Sequence, residues 1–379
     1  MAKFIAPGNI LTGYDTIAEL PTEIKKLNIK KPMIVIGRTW AKKSGWLDKI
    51  QESLTDISET LTIFESVPPE PTCETVDKLR DKLNQHNNDS VIALGGGSVM
   101  DTAKAGALLI NSNKPTAWHL ETQQLPDKKG LKIIAIPTTA GTGSEATVAA
   151  VFTDEQKKIK QSIKSQFMMP DIAIVDPQLT ISCPPEQTAY AGMDALTQAI
   201  ESFCSIYSTN LTEALSEKAI KLIGENIIMA YNDGANLQAR EAMSDGSMMA
   251  GLALANAKLG LVHGIAHPIG AFTHKPHGLI CAIALPAVIE FNRQSLSETT
   301  AQRQISKYKR MEEIFNEDPI KYVRKLQKAM NIPENFKSFG IKDTDIPIIV
   351  ENSMGSGSTG ANPRKVTKSD IAAFLKTLI

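Results

Sequence analysis

The chain has 379 residues, with 41 basic side chains against 41 acidic ones and a formal net charge of zero. An apolar share of 42% and a charged share of 22% describe a globular protein, and at ~100–200 residues per domain this length predicts two domains. The charge balance argues against nucleic acid or an anionic membrane as partner, and no run approaches the ~18 uninterrupted apolar residues of a membrane span.

The N-terminal segment MAKFIAPGNILTGYDT lacks the apolar stretch of a signal peptide. Short apolar runs then follow at Lys31–Ile36, Leu61–Phe64, Ser90–Leu94, Lys132–Ile136 and Asp171–Val175, with amphipathic stretches such as Trp46–Leu54 and Thr72–Gln85 between them. Strand and helix in alternation predict a parallel sheet with crossover helices, and continuous apolar runs suit strands covered on both faces. After about Pro185 the periodicity becomes helical at Met193–Ser205, Leu211–Tyr231, Arg240–Asn256, Thr299–Met330 and the tail from Ser369, with no convincing strand. The expectation is an α/β dinucleotide-binding domain over residues 1–180 and an all-α domain over 181–379. Only Ser353–Gly360 (SMGSGSTG) approaches low complexity, and it reads as a mobile surface loop. Cys73, Cys183, Cys204 and Cys281 lie far apart without a CxxC pair, which predicts a reduced, cytoplasmic setting.

Two polar, glycine-rich turns follow predicted strands. In SVIALGGGSVMDTAKA, Gly95, Gly96 and Gly97 permit a tight turn, and free amides at the next helix N-terminus favour a phosphate. Ser98 would serve as N-cap there, with Asp101 reaching back to complete a capping box. In KIIAIPTTAGTGSEAT, Thr138, Thr139 and Thr142 add hydroxyls suited to a diphosphate or ribose. GTGSEA matches the dinucleotide fingerprint, but it comes too late in the sheet for that match to carry weight.

The sharpest signal is LVHGIAHPIGAFTHKPHG, with His263, His267, His274 and His277 in one short apolar stretch. His263 and His267 share a helix face, and a bend near Pro276 could return His277 to the same divalent ion. AGMDALTQAIESF adds Asp194 and Gln198 one turn apart on an apolar helix, where a carboxylate needs a partner such as a cation. Glu201, a further turn along, reads as a surface or ion-paired group outside the metal shell.

Taken together, FIAPGNILTGYDTIAEL, VPPEPT, GGGSVMDTAK, PTTAGTGSE, GMDALTQAIE, the histidine segment and ANPRKVTKSDI resemble the iron-containing (group III) alcohol dehydrogenases nearly end to end. The same superfamily includes zinc-dependent glycerol dehydrogenases and, more distantly, dehydroquinate synthase. The resemblance implies a metal-dependent alcohol dehydrogenase that passes a hydride from a primary alcohol to NAD or NADP. Its metal ligands would be Asp194, His263 and His277, holding zinc or iron. Gln198 stands where the family usually has a histidine, and it would bind directly or through water. His267 would relay the proton. Gly95, Gly96, Gly97, Ser98, Asp101, Thr138, Thr139, Thr142 and Lys160 would hold the cofactor, Lys160 at the nicotinamide ribose. Gly37, followed by Arg38, stands where many relatives carry an NAD-selecting aspartate, which admits NADP. The glutamine resembles the branch that oxidises the C8 hydroxyl of 3-deoxy-manno-octulosonate in lipopolysaccharide sugar synthesis. A short-chain alcohol or glycerol is the next substrate expectation, and a homodimer the expected assembly. Two further readings are a dehydroquinate synthase-like lyase and a non-catalytic descendant with a dead metal site.

Overall fold

The apolar runs of the first half become strands because each can bury both faces. In the computed structural model, which describes residues 3–157, 159–294 and 302–379, the chain divides into two units, Ile5–Cys183, and Pro184–Ile379 together with the described residues before Ile5. The first carries strands β1 (Asn9–Thr12), β2 (Pro32–Gly37), β3 (Thr62–Val67), β4 (Ser90–Gly95), β5 (Lys132–Pro137), β6 (Ala149–Asp154), β7 (Ile159–Lys164) and β8 (Ile172–Val175). Six of them form a wholly parallel sheet in the order β1-β8-β5-β4-β2-β3, while β6 and β7 make a separate antiparallel pair. The helices of this unit are α1 (Leu20–Lys26), α2 (Trp40–Lys43), α3 (Trp46–Leu54), α4 (Cys73–Gln85), α5 (Gly97–Leu108) and α6 (Thr116–Thr122).

Side chains alternate between two cores along each strand. Ile34, Ile36, Ile92, Leu94, Ile134 and Ile136 pack with α1 and α3, while the interleaved Met33, Val35, Val91, Ala93, Ile133 and Ala135 pack with α4 and α5. Burial on both faces is what a parallel βαβ sheet requires. The chain leaves β2 for β3 on one side and returns to β4 on the other, so the strand order reverses between β2 and β4. Such a switch point opens a ligand crevice beyond the strands' carboxyl ends. Strand β1 and the β6–β7 hairpin had no equivalent in the sequence reading. β1 is a four-residue edge strand, half-exposed, without the apolar run that marks the central strands.

The second unit is helical, with α7 (Pro185–Cys204), α8 (Asn210–Asn232), α9 (Leu237–Ala257), α10 (Leu261–Thr273), α11 (His277–Gln294), α12 (Gln302–Phe315), α13 (Pro319–Ala329), α14 (Ile346–Met354) and α15 (Lys368–Leu378). Within the helix expected over Thr299–Met330, residues 299–301 lie outside the described residues. A break precedes Pro319, where Asp318 caps α13 by accepting from Ile320 N and Lys321 N. The segment Ser353–Gly360 is not a free surface loop. Ser353 and Thr359 are buried, and Thr359 Oγ1 donates to Ser353 O at 2.7 Å. Among the described residues no single helix is long and apolar enough to cross a membrane.

Candidate metal centre and nucleotide site

Beyond its exposed first turn, helix α7 is buried on nearly all sides because small residues surround its axis, so a carboxylate in its middle or last turns is forced into the core. Asp194 lies mid-helix and 5% exposed, far from the helix start where a carboxylate could cap free amides. His263 sits in the first turn of α10, and His277 opens α11 after the chain reverses through His274, whose φ is 54°. Each of the two histidines precedes a glycine that packing demands. A Cβ at Gly264 would lie 2.1 Å from Thr359 Oγ1, and one at Gly278 would lie 2.1 Å from Tyr190 O.

These elements bring three expected ligands together. Asp194 Oδ1 is 3.2 Å from His263 Nε2 and 3.7 Å from His277 Nε2. Burial opposes the charge on Asp194, but His277 and His263 outweigh it and lower its pKa. Burial also opposes protonation of His263, yet the Cys281 sulfur, Asp194 and Glu201 together hold its pKa well above the usual imidazole value. Gln198 Nε2 donates to Asp194 Oδ2 at 3.1 Å, and Gln198 Oε1 is a buried oxygen with no hydrogen-bond partner. A buried, orphaned carbonyl oxygen beside a carboxylate and two imidazoles is a donor set suited to a divalent cation. His267 is half-buried and stacks on His277, ring centroids 4.9 Å apart; His274 is exposed and stands outside the cluster.

Two residues complete the surroundings of His263. Glu201 takes the ion-paired alternative and not the surface one: it is 5% exposed, and its Oε2 lies 2.7 Å from His263 Nδ1. Its Oε1 accepts the Val262 amide at 2.6 Å, so one carboxylate both orients the imidazole and satisfies the start of α10. Cys281, one turn beyond His277 on α11, places Sγ 3.5 Å from His277 Nε2 and 4.0 Å from His263 Nε2. The His-x-x-x-Cys spacing was the available signal.

In the first unit the two glycine-rich turns interlock. Strands β4 and β5 are neighbours, with Gly95 opposite Pro137, and Thr138 N donates to Gly95 O at 3.1 Å. A Cβ at Gly97 would meet Thr142 Cγ2 at 2.7 Å, and one at Gly96 would meet Thr139 Oγ1 at 3.3 Å. The expected cap is corrected: Gly96, not Ser98, is the N-cap of α5, and Ser98 Oγ donates to Pro69 O. Asp101 makes no capping box either. It accepts from Ser144 Oγ at 2.6 Å and Val151 N at 2.9 Å, so it anchors the second turn and β6. Glycine suits the cap position because an added Cβ would press on the Thr139 side chain. Lys160 lies on β7, where its ammonium pairs with Glu70, the residue after Pro69. Gly37 ends β2 at the switch point, with Arg38 exposed beside it.

Comparison with known proteins covers the whole chain. Residues 7–177 match the family model for iron-containing alcohol dehydrogenase, and residues 188–379 match the C-terminal model of the Fe-containing alcohol dehydrogenase family. The chain is 35% identical to the NADPH-dependent butanol dehydrogenase of Clostridium saccharobutylicum, across 98% of this chain and 96% of that protein. It is 32% identical to the NAD-dependent methanol dehydrogenase of Bacillus methanolicus, across 100% of each. The structure of an alcohol dehydrogenase from Oenococcus oeni superposes with a TM-score of 0.92 at 30% identity, covering 100% of both chains.

Proposed function

The chain belongs to the iron-containing alcohol dehydrogenase family, and on that premise we propose that it interconverts a primary alcohol and its aldehyde, using a nicotinamide cofactor and one divalent cation. The observation that carries this reading is the convergence of Asp194 Oδ1 on His263 Nε2 and His277 Nε2 at 3.2 and 3.7 Å inside a helical core. Asp194, His263 and His277 would hold the cation, with Gln198 Oε1 adding an oxygen directly or through a water. When bound, the cation supplies a Lewis acid that polarises the substrate oxygen. The nicotinamide supplies or accepts the hydride.

The chain's own residues do the rest. Glu201 fixes the ring of His263, and the Gln198 amide steadies Asp194 from its other oxygen. His267 sits one helical turn from His263 and against the ring of His277, and it passes the hydroxyl proton toward solvent. In the first unit, the amides of Gly97 and Ser98 at the start of α5 receive the cofactor diphosphate, with Thr138, Thr139 and Thr142 lining the adjoining turn. Asp101 acts one step back, by holding Ser144 and Val151. Lys160 meets the ribose from the hairpin. Gly37 offers no carboxylate to repel a 2′-phosphate, which suits NADP as well as NAD.

Short-chain primary alcohols come first as substrates, in keeping with relatives named for butanol and methanol. The sugar-acid specificity inferred from Gln198 has no counterpart in those names. The test is a turnover panel of methanol, butanol, glycerol and 3-deoxy-manno-octulosonate with NAD and NADP under Zn²⁺, Fe²⁺ or Mn²⁺. Stoichiometric cofactor reduction is expected, and it should disappear in His277→Ala. Full turnover by thoroughly chelated His277→Ala would overturn the reading.

A further inference from the structure

We infer that Cys281 is a fourth protein ligand of the metal, a thiolate that turns the centre into an aspartate–histidine–histidine–cysteine site, favours zinc over iron, and leaves the substrate oxygen to join by expansion to five-coordination. The inference rests on the metal reading above and concerns a residue which that reading leaves out. Asp194, His263, His277 and Cys281 each offer one donor atom, and the four atoms lie within 4.8 Å of one another.

The separations fit a single ion. With zinc–nitrogen and zinc–oxygen bonds of about 2.0–2.1 Å and zinc–sulfur bonds of about 2.3 Å, tetrahedral donors stand about 3.3 Å apart for N···O and about 3.6 Å for N···S. The N···O distances here are 3.2 and 3.7 Å. The N···S distances are 3.5 Å to His277 and 4.0 Å to His263. No ligand has to leave its helix to close the set. His277 and Cys281 are four residues apart on α11 and therefore share a face.

The surroundings of the sulfur separate it from an ordinary core cysteine. Cys73 is the contrast: it is buried among Val76, Leu108 and Phe152, where a thiol behaves as a small hydrophobe. Cys281 Sγ is buried against two imidazole nitrogens instead. The Gln198 amide nitrogen donates to Asp194 Oδ2 at 3.1 Å, and its free Oε1 stays available as a further oxygen donor beside the thiolate. Binding breaks the Cys281 S–H bond, its electron pair forms the bond to the cation, and the proton leaves to buffer; nothing is oxidised. A thiolate beside two imidazoles is a soft set that selects zinc by ligand type.

The test uses the full chain, stripped with chelator and reloaded with Co²⁺. The wild type should show visible ligand-field bands together with a near-ultraviolet thiolate-to-cobalt band. Cys281→Ser should keep the visible bands and lose the ultraviolet one. Zinc X-ray absorption on the wild type needs no variant and should require a sulfur neighbour at about 2.3 Å. Zn²⁺ affinity should fall in Cys281→Ser by about 10–100-fold, the loss typical even of an outer-shell partner, and by more than Fe²⁺ affinity falls. Bound metal without a sulfur neighbour would overturn the Cys281 assignment and leave the three-ligand centre standing. Failure of the wild type to bind Co²⁺ or Zn²⁺ would remove both.

Discussion

Glu201 holds His263 through Nδ1 at 2.7 Å, which leaves Nε2 as the nitrogen facing Asp194. A carboxylate in that position fixes the tautomer and strengthens the imidazole as a donor. Glu201→Gln keeps the shape but removes the charge, and it offers one acceptor oxygen where His263 and the Val262 amide now use two. We expect divalent affinity to drop about 10–100-fold with the helical content preserved. Chelator competition alongside circular dichroism checks this, and unchanged affinity would return Glu201 to a purely structural role.

Gly278 follows His277 at the start of α11, and its Cα is pressed against the backbone of α7. An alanine Cβ there would sit 2.1 Å from Tyr190 O and 2.7 Å from Tyr190 C, neither of which can rotate away. The first turn of α11 must move, carrying His277 with it. Gly278→Ala should cost about 1–3 kcal/mol or more in overpacking and lower the metal content per chain. Gly357→Ala is the control, since nothing lies within 4 Å of its added Cβ. Urea midpoints and elemental analysis of the two variants should diverge.

The parts of the molecule that the sequence makes legible are those where burial is symmetric. Strands β2, β4, β5 and β8 stand out because both faces are apolar, and Asp194 stands out because a charge interrupts an otherwise apolar helix. Glu201 is on that same helix, yet it comes near the end, where solvent is the ordinary expectation. What buries it is α10, whose Val262 and His263 amides it accepts, contacts 61 and 62 residues away in the chain. Ser98 fits the local pattern of a cap, but the turn is decided by tertiary fit: Thr139 and Thr142 crowd Gly96 and Gly97, so glycine takes the cap. Local pattern likewise marks Ser353–Gly360 as loose, whereas Thr359 fills the space that Gly264 leaves.

Gly37 gives a direct handle on cofactor choice. Its added Cβ would come no closer than 3.7 Å to Val99 Cγ2 and 3.9 Å to Val67 O, ordinary contact distances, so the position accepts a Cβ. The new carboxylate would repel a 2′-phosphate and accept from a 2′-hydroxyl. In Gly37→Asp the ratio of kcat/KM with NADPH to that with NADH should fall by about tenfold, the equivalent of about 1.4 kcal/mol. Parallel steady-state assays with both cofactors measure it. An unchanged ratio would mean that the adenosine ribose is bound away from the end of β2.

Glu145 makes stability depend on pH in a window set by its own burial. It lies wholly buried at the second glycine-rich turn, its Oε2 without a hydrogen-bond partner. Burial raises its carboxyl from 4.5 to about 7, against a backbone hydrogen bond and the attraction of Lys104. The folded value exceeds the unfolded one, so as pH rises from 4.5 the unfolded chain ionises first and folding loses free energy until about pH 7, beyond which both states are charged. The loss is bounded at about 3 kcal/mol by the size of that shift. Glu145→Gln removes the ionisation and keeps the side chain's shape, so the difference between the two chains reports this residue together with its attraction to Lys104. Urea midpoints taken between pH 5 and 7.5 should decline more steeply for the wild type than for the variant. Parallel curves would mean that Glu145 ionises in the folded protein as readily as in the unfolded chain.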